Sequence, residues 1–319
     1  MDVLSELLDG VRARGALVRR TAIGRPWSLR FAAGAPLTLA TMVRGRAWIV
    51  PADGEPVPVR TGDIAVIRGR APYTVADDPA TPPPRTVIDS ADYCLRGGCA
   101  GETGEDGAGD VSGTGGGGAD DSAVLLSGAY TGRGEISERL LHALPEVLVV
   151  PDAACHRELR DLVAEEAGGD RPGQRVMRDR LLDLLLLSTL RSWFDRSAAH
   201  APPWYRALDD PAVGRALELL HEEPARPWTV AALAAETGLS RAALARRFTA
   251  RVGVPPMAYL ASWRVDLAAD LLRETDATVG SIARKVGYAD TFALSTAFKR
   301  LRGVTPTGHR AKALTDDAG

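Results

Sequence analysis

Eight side chains near the end of the chain are of the types that read a nucleic acid: Arg241, Ala242, Arg246 and Thr249 in one segment, Phe292, Thr296, Lys299 and Arg300 in another. A guanidinium can bond the edge of guanine in bidentate fashion, a hydroxyl can reach a base edge, an apolar group can pack on the thymine methyl, and Lys or Arg can hold phosphates. On a helix with Leu244 and Phe248 turned inward, Ala242, Arg246 and Thr249 point the opposite way. With Leu294 and Phe298 inward, Phe292, Thr296 and Lys299 face out. Arg246 is the best candidate for a base contact, Arg241 reaches a phosphate or a base from the helix start, and Lys299 and Arg300 suit phosphates. Arg247 leans to the packed side and reads as structural.

The elements that must present these groups are written in two segments of one pattern, Thr229–Phe248 and Thr278–Phe298. Thr229 and Thr278 can cap the helix that follows. Ala234 and Ala283 are small where two helices must cross closely, and Gly238 and Gly287, four residues on, permit a left-handed backbone in a tight turn. Ser240 and Asp290 then cap a second helix, so the expected reading helices are 241–252 and 291–302. This is helix-turn-helix grammar, with the second turn one residue longer than the first. Between the two lies a good helix former, Met257–Glu274, with Leu260, Trp263, Leu267, Leu271 and Leu272 at helical spacing. A rigid helix there fixes the separation of the two units, and two reading helices on one face of a duplex sit about 34 Å apart. The region is basic: Arg241–Lys312 holds 13 Lys/Arg against 5 Asp/Glu, a net of +8, which leaves −10 for the rest of a chain whose total is −2.

The stretch from Trp228 to Arg310 resembles the DNA-binding domain of the AraC/XylS family of transcription regulators, through "GLSRAALARRF", "VGVPPMAYLASWRVDLAADLL", "SIARKVGYAD" and "AFKRLRGVTPTGHR". Two departures stand out: His309 occupies the place of a family Tyr, and Thr296 that of an Arg usual in the second reading helix. The resemblance implies promoter DNA and RNA polymerase as partners, and activation as the direction of control. No catalytic residue and no cofactor is expected.

The front half reads differently. Short apolar runs alternate with Gly, Pro and Asp at Trp27–Phe31, Leu37–Val43, Ala47–Val50, Ile64–Ile67, Thr86–Ile88 and Val124–Leu126, which predicts a β-sandwich or small barrel. Residues 3–16 have the spacing of a short amphipathic helix. Eleven of the 22 residues at 97–118 are Gly, too few apolar groups to offset the ordering entropy, so a disordered loop is expected there. "GRAWIV", "VRTGDIAVIRGRAPYTV" and "LLHALPEVLVV" resemble the cupin-like sensor domain of one AraC subgroup. No His precedes His142, and Tyr73 stands where a barrel His is often found, so no metal site is expected.

The expected fold is α+β: a cupin-like β-barrel or sandwich over 1–150, a helical linker or dimerisation region over 151–205, and an all-α domain with two helix-turn-helix motifs over 206–312. The apolar positions of 176–194 are broader than one contact face needs, so this helix is either sandwiched inside the protein or meets another subunit in a homodimer. Cys94 and Cys99, beside Arg96 and the Gly-rich loop, are a candidate redox-sensing pair; a small-molecule effector is the other candidate signal. No apolar run approaches the roughly 20 residues of a membrane span, and Asp2, Glu6 and Asp9 interrupt any leader-like start, which predicts a cytoplasmic protein with no membrane partner. The expected function is sequence-specific regulation of transcription, not catalysis. The alternatives are a cupin-type enzyme with a helical appendage and a protein-binding adaptor.

Overall fold

Where a strand is covered on one face its sequence alternates, and where both faces are covered it becomes a continuous apolar run. Both patterns occur here. The computed structural model describes residues 18–23, 25–33, 35–69, 71–81, 87–89, 123–130, 135–151, 154–166, 171–196 and 201–316. They fall in two units, one drawn from Val11–Arg133 and Leu141–Arg196, the other from Gly134–Leu140 and Ser197–Gly319. The expected helix at 3–16, the Gly-rich stretch 97–118 and both Cys94 and Cys99 lie outside the described residues.

The first unit contains strands β1 (Val18–Ile23), β2 (Ser28–Ala33), β3 (Leu37–Arg44), β4 (Ala47–Pro51), β5 (Val57–Val59), β6 (Ile64–Arg68), β7 (Tyr73–Ala76), β8 (Val87–Asp89), β9 (Ala123–Tyr130) and β10 (Val147–Val150). They form two five-stranded sheets, ordered β1-β9-β3-β6-β10 and β5-β4-β7-β2-β8. Pairing is antiparallel except between β2 and β8. One shared core joins Ala40, Met42, Ala65, Ile67, Leu125 and Ala129 of the first sheet with Trp27, Leu29, Phe31, Ile49, Val59, Tyr73 and Val75 associated with the second. Phe31 and Tyr73 stack there with ring centres 4.7 Å apart.

The first sheet is covered on its other face too. Helix α1 (Glu135–His142) precedes β10; α2 (Ala154–Glu166) and α3 (Gln174–Arg196) follow it. Tyr130 Oη donates to the Leu182 carbonyl at 2.8 Å, and a Cβ on Gly128 would come within 3.1 Å of Leu182 Cδ2. Tyr130, Gly128 and Leu126 lie opposite Leu37, Leu39 and Thr41 of β3 in register. Leu182, Leu185, Leu186, Leu190 and Phe194 of α3 are all buried, which accounts for a sequence richer in leucine than one helix face needs. The burial of Tyr130, reinforced by the nearby Asp183 charge, pushes its hydroxyl pKa well above the ordinary value. The segment expected as a linker thus contributes α2 and α3 to the sheet unit.

The helical unit continues with α4 (Pro203–Arg206), α5 (Pro211–Glu222), α6 (Val230–Glu236), α7 (Arg241–Val252), α8 (Pro256–Glu274), α9 (Val279–Lys285), α10 (Thr291–Arg302) and α11 (Pro306–Asp316). Among the described residues no helix is long and apolar enough to cross a membrane.

Candidate nucleic-acid interface

Each helix pair is fixed by short-range chemistry. The Thr229 hydroxyl accepts the Ala232 N–H at 3.0 Å to start α6; Gly238, at φ 68°, turns the chain; the Ser240 hydroxyl accepts the Ala243 N–H at 3.2 Å to start α7. The second pair repeats this. Thr278 accepts from Ser281 at 3.2 Å, Gly287 turns at φ 90°, and the Asp290 carboxylate accepts from Ala293 at 2.8 Å. Without these caps each helix start would leave its first amide donors unsatisfied. Leu244 and Phe248, and Leu294 and Phe298, are fully buried, which dictates which sides of α7 and α10 face outward.

Those outward sides carry the residues singled out by sequence. Arg241, Ala242 and Arg246 are exposed on α7, and Phe292, Thr296, Lys299 and Arg300 on α10. Phe292 is 80% exposed, an unusual setting for a ring at the start of a helix. Thr249 is half-buried and its hydroxyl donates to the Ala245 carbonyl at 2.8 Å, so the oxygen has only acceptor capacity left. Among the described residues no hydrogen bond or ion pair engages the side chains of Arg241, Arg246, Lys299 or Arg300, whereas their neighbours on the same helices are used internally.

Sequence reasoning missed the acceptors of those paired cations. Asp210, just before α5, is buried and accepts the Ala212 and Val213 amides as a helix cap. Its other oxygen takes Arg247 Nε, with Arg251 Nε at 3.6 Å. Burial would raise its pKa, but the Arg247 hydrogen bond, the amides of Val213 and Ala212, and the Arg247 charge together hold it below the ordinary aspartate value. Its contribution to stability is therefore present above that ordinary value and is lost as the pH falls through the depressed one. Asp210→Ala is expected to cost about 1–3 kcal/mol at pH 7 from the lost cap and pair. In urea unfolding, the gap between wild type and Asp210→Asn is expected to close as the pH is taken below the ordinary aspartate value and through the depressed one. A gap that stays constant into acid would show that Asp210 is not the charged anchor of α7.

Asp266 on α8 plays the matching part for α10. It pairs with Arg302 at 2.8 Å and with Arg139, from the α1 residues of the same unit, at 3.2 Å. Here burial is the largest influence and wins over both arginines, so the Asp266 carboxyl is raised. Arg310 closes the end of α8, its guanidinium bonding the carbonyls of Leu272, Thr275 and Ala277. His221 Nε2 meets Tyr259 Oη at 2.8 Å in the core beneath α7. None of these partners lies within a helical repeat of its donor, so no local pattern could have shown them.

Two capped helix pairs, each with a basic outer helix, define a protein of the double helix-turn-helix DNA-binding class. The sequence matches the family model described as Cupin over residues 2–195 and the model described as Helix-turn-helix domain over residues 233–312. A protein of Streptomyces lividans described as an AraC-like transcription regulator is 33% identical over 97% of this chain and 98% of its own length. A like-named protein of Streptomyces antibioticus is 32% identical over the same shares. Among solved structures, the C-terminal domain of AraT, a response regulator from Geobacillus stearothermophilus, is 30% identical over 32% of this chain and 86% of that one, with a TM-score of 0.32. The chain belongs to the AraC-like transcription regulators, with a cupin domain ahead of its helix-turn-helix domain. It is a DNA-binding regulator of transcription and not an enzyme.

Proposed function

We propose that α7 and α10 enter successive major grooves of one promoter duplex. In this reading Arg246 and Ala242 contact base edges from α7, with Arg241 and Thr249 at its margins. Phe292 and Thr296 contact bases from α10, and Lys299 and Arg300 hold the phosphates. The observation that carries the reading is the division of labour among the cations of α7 and α10: among the described residues Arg241, Arg246, Lys299 and Arg300 have no hydrogen-bond or ion-pair partner, while Arg247, Arg251 and Arg302 are paired with Asp210 and Asp266. A charged group left unpaired on a helix face is available to phosphate or guanine without first breaking a protein contact. Arg246→Ala is expected to relax preference at one base pair by about 1–3 kcal/mol while retaining most of the unspecific affinity. Selection of binding sites from random duplexes, with the full-length variant beside the wild type, checks this. An unaltered selected sequence would remove Arg246 from the reading role.

The cupin domain is the sensor in this scheme, and its signal is a small molecule or the redox state of Cys94 and Cys99. A Cys94→Ser, Cys99→Ser protein whose oxidant response matches the wild type's would end the redox version. Family membership supports activation through RNA polymerase and a cytoplasmic location beside the promoter. A homodimer is supported by Val176, Met177 and Leu184, exposed apolar residues on α3, an arrangement that favours burial against a second copy. Sedimentation across a concentration series tests for it.

A further inference from the structure

The two helix pairs are joined twice. The covalent connection is α8. The second joins the loop before α6 to the turn between α9 and α10, and its centre is Arg264, midway along α8. Arg264 Nε donates to the Pro224 carbonyl at 2.7 Å and Nη2 to the Arg226 carbonyl, also at 2.7 Å. The loop that receives these bonds is itself held. Arg226 pairs with Glu223 at 3.0 Å and with Glu236 of α6 at 3.2 Å, and its guanidinium lies 4.0 Å from the centre of the Trp228 ring. Trp228 Nε1 donates back to the Glu223 carbonyl at 2.9 Å. On the opposite side, Arg264 lies over the Tyr288 ring, 5.8 Å from its centre.

Gly287 closes the contact. A Cβ at this residue would fall 2.7 Å from Ala225 Cα, 2.8 Å from the Ala225 carbonyl oxygen and 2.9 Å from Arg264 Cζ. Two of those atoms are backbone and cannot swing away. At its counterpart in the first turn, Gly238, a Cβ would meet nothing within 4 Å. Both glycines serve their turns through a positive φ, but only Gly287 also admits another piece of chain.

A single helix between two bodies leaves freedom to bend and twist; a second attachment at a distance from its ends removes it. From this we propose that Arg264 and Gly287 form a spacing gauge, setting the phase between the two reading helices and hence the number of base pairs the protein requires between its half-sites. They are positioning residues and touch no DNA. The inference rests on the two-helix reading above and deepens it. One inserted base pair shifts a half-site by about 3.4 Å along the axis and about 35° around it. A locked protein passes that mismatch to the duplex, which resists bending and twisting. An unlocked protein absorbs it in α8 and its flanks. Lysine keeps the charge of Arg264 but cannot span two carbonyls with a planar fork, so Arg264→Lys separates geometry from charge.

The test uses full-length protein and the bipartite site it selects from random duplexes. Dissociation constants are measured on that site, on versions with one base pair inserted or removed between the halves, and on a duplex with one half only. For the wild type each spacing change is expected to weaken binding about tenfold, the equivalent of 1.4 kcal/mol. For Arg264→Gln, and equally for Arg264→Lys, the penalty is expected to fall below about threefold, with half-site affinity within about twofold of wild type. A thermal melt confirms that the variants are folded. Three results would overturn the proposal: a full spacing penalty retained in Arg264→Gln; an equal loss on every duplex including the half-site; or full restoration by Lys, which would make Arg264 a phosphate contact. A wild type that selects only a single half-site would instead strike at the two-helix reading itself.

Discussion

Phe298→Ala is expected to cost about 3–5 kcal/mol of unfolding free energy and, on the proposed two-helix reading, to erase the half of the recognition sequence assigned to α10. The ring is fully buried in a cluster with Val265, Ala268, Ala269, Leu272, Ile282, Ala283, Val286, Leu294 and Ala297. Four of those nine neighbours are alanines, which have no side-chain torsion with which to swing into a cavity. The space left by the ring therefore stays largely empty, and the cost falls toward the upper end for such truncations, because it grows with residual cavity volume. Phe298 also meets the His309 ring edge-on at 5.4 Å, so its loss loosens α11 as well as α10. Urea titration of the full-length protein should show a lower midpoint in the transition that includes the helical unit, at an unchanged slope. Phe298→Leu, which keeps most of the volume, should cost less than about 1.5 kcal/mol. A loss below about 1 kcal/mol for the alanine variant would mean that the cluster does collapse around the gap. The functional consequence follows from position: Phe292, Thr296, Lys299 and Arg300 are presented by the helix that Phe298 anchors.

How much of this could be read from the chain alone depended on the range of the interaction. The reading helices, 241–252 and 291–302, coincide with α7 and α10, because their limits are set by neighbours: Ser240 and Asp290 at the start, Gly253 and Gly303 in the left-handed region at the end. The strands were legible where the apolar run was unbroken. Val124–Leu126 grew to Ala123–Tyr130 because Ser127 and Gly128 look like a turn in isolation. In the fold Gly128 is the place where Leu182 seats against the sheet. The strands Val57–Val59 and Tyr73–Ala76 were not anticipated, being short and, in the first, interrupted by Pro58. The anchors of the interface were the least legible. Arg247 reaches back 37 residues to Asp210, Arg264 reaches 40 to Pro224, and Arg302 reaches 36 to Asp266. A cation in a basic segment looks the same in sequence whether it waits for phosphate or is already bonded to a carbonyl.

That distinction yields the largest expected effect on binding. If Arg241, Lys299 and Arg300 supply the phosphate neutralisation, about three counterions are released, and the logarithm of the binding constant should fall with the logarithm of salt at a slope of about −2.7. Raising monovalent salt from about 50 to about 200 mM should then weaken binding about 40-fold, equivalent to about 2.2 kcal/mol. Counting every Lys and Arg of the basic region would predict a far steeper dependence, so the slope itself reports how many of these cations meet phosphate. Removing one available cation by Arg300→Ala should lower the slope by about 0.9. Removing one committed cation by Arg302→Ala should leave it unchanged, because that guanidinium is engaged by Asp266 at 2.8 Å. Fluorescence anisotropy on a short promoter duplex at several salt concentrations gives all three slopes. An equal drop for Arg300→Ala and Arg302→Ala would mean that the Asp266 pair opens on DNA, and that the cations held inside the free protein are a reserve for the complex.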